Sequence, residues 1–130
     1  MNSRFARVPL VISTVLLAVQ LWAGQINQGA QRVFTGEITD TFCAKNKSHN
    51  EMMSENKTMG TDKQTCAQRC AQMGAKYVLL DSTGRVYKLD DQAKAAAFAG
   101  LEVRVVGTLQ NDQLNIASIH DSSSTERAGQ

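Results

Sequence analysis

The sequence predicts a mainly β fold with short helices (α+β): five strands closing as a small Greek-key barrel, with a helix-containing insert after the first strand. Three observations predict it. Apolar and polar residues alternate in five short stretches, glycine- and asparagine-bearing turns join four of them into two hairpins, and 130 residues leave room for one small domain.

The chain opens with MNSRFARVPLVISTVLLAVQLWAG. Arg4 and Arg7 precede an apolar run from Val8 to Trp22, and small residues follow, which is the three-part plan of a secretory signal peptide over 1–23. Cleavage after Ala23 or Gly24 fits, with an uncleaved anchor as the alternative; the run is short for a membrane span. The expectation is therefore an exported protein, periplasmic or secreted, with no stable membrane insertion once the leader is gone.

A polar lead-in covers 24–31, and the domain is expected over 32–121. RVFTGEITDTFC (32–43) sets Phe34, Ile38 and Phe42 on one face and Thr35, Glu37, Thr39 and Thr41 on the other, a half-buried first strand. The insert at 44–75 is polar to Gln64, with Met52, Met53 and Met59 as its sizeable apolar residues. Thr61 or Asp62 then caps a helix running through Cys66, Cys70 and Met73 to a stop at Gly74.

KYVLLD, the turn Ser82-Thr83-Gly84, and RVYKLD form the first hairpin. Asp90 and Asp91 read as a helix cap rather than an acid/base pair, leading an Ala-rich helix to Gly100. LEVRVVGTL, the turn Gln110-Asn111-Asp112, and QLNIASIHD form the second hairpin. SSSTERAGQ (122–130) lacks apolar residues to offset its ordering and is expected to be a frayed tail.

Charge narrows the partners. Removing the leader takes Arg4 and Arg7 from the 14 basic residues and none from the 12 acidic ones, so the remaining chain is formally neutral. Nucleic-acid binding needs a basic face for phosphates, and membrane-surface binding a basic patch; the basic residues here stand singly among acids. The partner expected is an unknown protein or small ligand, not a nucleic acid.

Two hairpins and a lone first strand around one core are compatible with the OB-fold. TGEITDT, YVLLDSTGRVYKL, FAGLEVRVVGTL and LNIASI resemble the strand signatures of small exported bacterial OB-fold proteins. DTFC, the following His49, and the C-x-x-x-C before GAKYVLLD are similar to a Cys/His-containing set of secreted bacterial proteins whose domain is of unknown function. The resemblance covers most of 33–120 and implies no activity. An OB-fold implies oligonucleotide binding in many proteins, but neutrality and only five aromatics beyond the leader (Phe34, Phe42, Tyr77, Tyr87 and Phe98) oppose that here.

The three cysteines carry the chemistry. Cys66 and Cys70 are four residues apart on one helical face, with Met73 on the same stripe. Packing alone accounts poorly for three thiols in an oxidising compartment. A metal site uses all three: Cys43, His49, Cys66 and Cys70 make a Cys₃His set suited to Zn²⁺, or to Cu(I) with nearby methionines. Asp40 would orient the imidazole or accept from the N-terminus of the cysteine-bearing helix. The alternative is a disulfide, Cys43–Cys66 or Cys43–Cys70, closing the polar segment with a stabilisation of about 3 kcal/mol. The odd cysteine favours metal. Thiol redox catalysis is the third reading, with Cys66 lowered in pKa by the helix start. Against it, the sequence has no C-x-x-C, and its one proline, Pro9, lies in the leader. His120 has no evident partner, and neither a nucleophile elbow nor a phosphate-binding glycine loop is present.

Overall fold

The first strand, β1 (Arg32–Asp40), serves two neighbours in turn. Arg32 to Glu37 pair with β4 (Glu102–Gln110), and Glu37 to Asp40 pair with β2 (Tyr77–Leu80). The strand passes from one partner to the other at Glu37, which pairs with both, and at the preceding Gly36 an added Cβ would fall well inside contact distance of the Leu80 carbonyl. A residue without a side chain is what that approach requires. The computed structural model describes residues 29–46 and 48–126. The leader expected over 1–23, the first part of the lead-in and the last four residues lie outside the described residues.

β2 continues antiparallel into β3 (Val86–Leu89), and β4 into β5 (Gln113–Asp121), as both hairpin patterns predict. The second turn places Asn111 and Asp112 at φ 48° and 63°, the left-handed pair of a two-residue hairpin loop. β3 and β5 then pair in parallel through Lys88–Gln113 and Leu89–Leu114, closing a barrel in the order β1-β2-β3-β5-β4. That short seam is extended by Asp90, whose N–H donates to the Leu114 carbonyl at 3.2 Å and whose Oδ1 accepts from Ile116 N at 2.9 Å. Of the two carboxylates expected to cap a helix, Asp91 does so, accepting from Lys94 N at 2.8 Å; Asp90 instead seals the barrel.

Alternation on β3 and β4 buries Tyr87, Leu89, Val103 and Val105, which meet Ile38, Leu79 and Leu114 in the barrel interior. The Ala-rich segment contributes a short helix, α4 (Gln92–Ala96), and a following turn whose Ala95 and Ala99 are fully buried against that core. Gly100, at φ 75°, donates to the Ile38 carbonyl at 2.7 Å and lies against Lys63 and Gln64 of the insert. Five strands in this closed order with a helix between β3 and β4 form the OB-like barrel expected.

The insert departs from the expected polar loop. The first strand ends at Asp40, and Thr41–Asn46 turn into a helix, α1, so Phe42 leaves the strand face and is 42% exposed. α2 (His49–Glu55) follows, capped by Ser48 and Glu51 in a reciprocal capping box. A single 3₁₀ turn (Lys57–Met59) leads to α3 (Lys63–Gln72), whose N-cap is Asp62, accepting from Thr65 N at 2.8 Å. Met73 caps the helix at 59% exposure rather than sharing the cysteine stripe, because Gly74, at φ 102°, turns the chain there. At the other end, Ser122–Glu126 form a helical turn, α5, where a frayed tail was expected; Asp121 Oδ1 accepts from Ser123 N at 2.8 Å. Among the described residues no helix is long and apolar enough to cross a membrane.

Candidate metal centre

Cys66 and Cys70 are fully buried on α3, and the residue between their turns, Ala67, belongs to the barrel core instead. The helix thus splits its buried surface. Ala67 faces the barrel, while the thiols meet Cys43, Met59 and Ala75 in a separate cluster, with Met52 and Met53 packed against it. The three Sγ atoms lie within 4.8 Å of one another. All three cysteines are free thiols.

Cys43 reaches this cluster from α1, and Asp40 sets the start of that helix. Asp62 caps the cysteine-bearing helix, whereas Asp40 Oδ1 accepts from Phe42 N at 2.9 Å and from Cys43 N at 3.1 Å, at the start of a helix the sequence pattern did not reveal. Its other oxygen, Oδ2, is buried without a hydrogen-bond partner among the described residues. The whole residue is 0% exposed.

His49 opens α2 and is 4% exposed. Its Nε2 lies 3.1 Å from Glu37 Oε1 and 3.0 Å from Thr39 Oγ1. An ionised carboxylate only accepts, so Nε2 carries the hydrogen, and a neutral ring then presents a lone pair at Nδ1. Nδ1 is buried and without a hydrogen-bond partner among the described residues. Asp40, Cys43 and His49 form a second group whose ligand atoms lie within 4.8 Å of one another. The structure therefore brings all four predicted ligands and Asp40 into one buried region, with Cys43 common to both groups.

The orienting residue is a correction. Glu37, not Asp40, bonds the imidazole, and sequence reasoning placed Glu37 and Thr39 on a solvent face. α2 and α3 cover that face, which leaves Thr39 buried and lets Lys63 Nζ pair with Glu37 Oε2. Burial pushes the Glu37 carboxyl up, but the hydrogen bonds from His49 and Lys63 outweigh it and hold the group below the usual carboxylate range. A charge on the first strand paired with a lysine in the insert is a signal that residue types alone do not single out.

The thiols are shifted the other way. Burial, followed by the nearby Asp40 carboxylate, pushes Cys43 far up and Cys70 up to about 12. Burial also raises Cys66, which overturns the expectation that the start of α3 lowers it. Three thiols held in the protonated form are poor nucleophiles at neutral pH, whereas a bound metal ion displaces those protons directly. Zn²⁺–S and Zn²⁺–N bonds of about 2.0–2.3 Å put neighbouring ligand atoms of a tetrahedral ion about 3.3–3.8 Å apart. Within each of the two groups the ligand atoms, already within 4.8 Å of one another, reach that spacing by small rotations. The cluster can hold a metal ion. His120 takes no part: it is exposed on β5 and pairs with Ser118 Oγ at 3.1 Å.

Residues 71–119 match a family model described as a protein of unknown function (DUF5818). The matched stretch runs from the end of α3 into β5 and contains β2, β3, β4 and most of β5 but none of Cys43, His49, Cys66 and Cys70. It is narrower than the resemblance over 33–120 and supports its coarser part, a domain of unknown function. No curated protein and no solved structure matches the chain.

Proposed function

We propose that this protein is an exported OB-like domain that holds a thiophilic metal ion through Cys43, Cys66, Cys70 and His49, and that the ion ties the helical insert to the barrel. One observation carries the reading: His49 groups with Cys43 and keeps a buried, unpartnered Nδ1, while a carboxylate holds the opposite nitrogen. Leaving a buried polar atom unsatisfied costs about 1–3 kcal/mol, and ligation to a metal removes that cost. A carboxylate on the far nitrogen is also the usual support of a metal-bound histidine.

The ligands come from α1, α2 and α3, so a bound ion cross-links three short helices. Zn²⁺ fits a thiolate-and-imidazole set of tetrahedral type. Cu(I) is the second reading, favoured by the thioethers of Met59, Met52 and Met53 against the same thiols.

Native mass spectrometry of the protein purified from an exporting host without chelator tests the proposal. The expected result is a metal-bearing chain that carries less metal in the Cys43→Ser and His49→Ala variants. A metal-free chain lighter by two hydrogens, with one alkylatable thiol, would replace it with the disulfide staple.

A further inference from the structure

The donor atoms divide in a way that a single ion does not explain. Cys43, Cys66 and Cys70 form one group and Asp40, Cys43 and His49 another; the two share Cys43. Each group is a face of three donors. Asp40 and His49 supply two of the three donors of the second group, and each has a buried atom without a partner among the described residues, Asp40 Oδ2 and His49 Nδ1.

We infer that the cluster holds two divalent ions bridged by the Cys43 thiolate, one on Cys66 and Cys70 and the other on Asp40 and His49. The inference rests on the metal-binding reading and extends it to Asp40. Charge favours two ions over one. A divalent ion on three thiolates is net negative, and it would leave the wholly buried Asp40 carboxylate beside it uncompensated, which is costly in a low-dielectric interior. With two divalent ions, the four anionic donors and the four positive charges balance, and the neutral imidazole adds none.

Access differs between the two positions. A cleft of about 160 Å³, lined in part by Cys43, His49, Ser48, Asn50 and Lys63, reaches the second group from outside. Cys66 and Cys70 have no exposed surface. The inner ion is the less accessible of the two, and the outer one keeps a position that water or a small anionic ligand can take.

The test is a zinc titration of the reduced, metal-free full chain, read by native mass spectrometry, with ¹¹³Cd NMR on a cadmium-loaded sample. Asp40→Asn is the informative variant, because its amide oxygen can still accept from Phe42 N and Cys43 N at the start of α1 while the second donor oxygen is gone. The expected result is two ions per wild-type chain and two cadmium resonances, falling to one ion in Asp40→Asn and in His49→Ala. One ion at saturation in the wild type overturns the inference and leaves the single-ion reading standing. Two ions retained in both variants also overturn it, since the second would lie elsewhere. No ion at all overturns the metal reading along with it.

Discussion

Glu37 Oε1 lies 3.1 Å from His49 Nε2, joining the middle of the first strand to the first residue of a helix in the insert. The contact sets the ring's tautomer, and Lys63 on the other carboxylate oxygen holds Glu37 in turn. A side chain on the barrel wall thus decides which nitrogen of an insert histidine is free to ligate.

Removing that support is expected to weaken metal binding without removing a ligand. Glu37→Ala should lower zinc affinity about 10–100-fold, the usual effect of losing a carboxylate behind a metal-bound histidine. Glu37→Gln, which keeps an acceptor for Nε2–H, should lose less. Competition titrations with a chromophoric chelator give the affinities. In the metal-free chain, imidazole ¹⁵N shifts should show Nε2–H in the wild type and a mixture of tautomers in Glu37→Ala; an unchanged tautomer would remove Glu37 from this role.

Cys43 belongs to both donor groups and stands between the first strand and the insert, so its loss is expected to act locally. In Cys43→Ser, hydrogen exchange should accelerate across residues 44–64 far more than in the hairpins at 77–89 and 103–119. The hairpins depend on the barrel core, which Cys43 does not enter. Uniform acceleration over the barrel would show that the insert is not a separate cooperative unit.

Gly36→Ala tests the close approach of β1 to β2 just before β1 changes partner at Glu37. The added methyl meets the Leu80 backbone, which cannot swing aside as a side chain can. The expected cost is about 1–3 kcal/mol in denaturant unfolding, the range for overpacking. A neutral result would mean that β1 shifts freely between its two partners.

Acid should erode a hydrogen-bonded turn in the first hairpin. Asp81 Oδ1 accepts from the Thr83 hydroxyl at 2.6 Å, and Tyr87 donates to Oδ2 at 3.1 Å. Its carboxyl is held low chiefly by the Thr83 hydroxyl, burial opposing, with backbone N–H groups of Arg85 and Thr83 helping. A folded-state pKa below the unfolded one stabilises the fold above the unfolded value, and that stabilisation fades as pH falls through the folded value. The stability difference between wild type and Asp81→Asn should therefore shrink as pH falls from about 5 to about 2. Urea unfolding at several pH values measures it, and a difference that stays constant would remove Asp81 from the account.

Local pattern determined the strands. Alternation at Val103 and Val105, the Asn111-Asp112 turn and the alanine run before Gly100 act through contacts within a few residues, so their sequence suffices to place both hairpins and the helix between them. The cysteine and histidine set was legible for a related reason: thiols and imidazoles are few, and their chemistry restricts their use. Tertiary structure alone decided the rest. Asp40 caps a helix only because the chain leaves the strand at Thr41, and Glu37 and Thr39 are covered only because α2 and α3 fold back over β1. Their partners are ten or more residues away, and His49, Lys63 and Glu37 meet through the path of the whole insert. Side-chain periodicity reports which face of a strand is apolar; what lies against the other face is set by packing between distant elements, and that packing built the site.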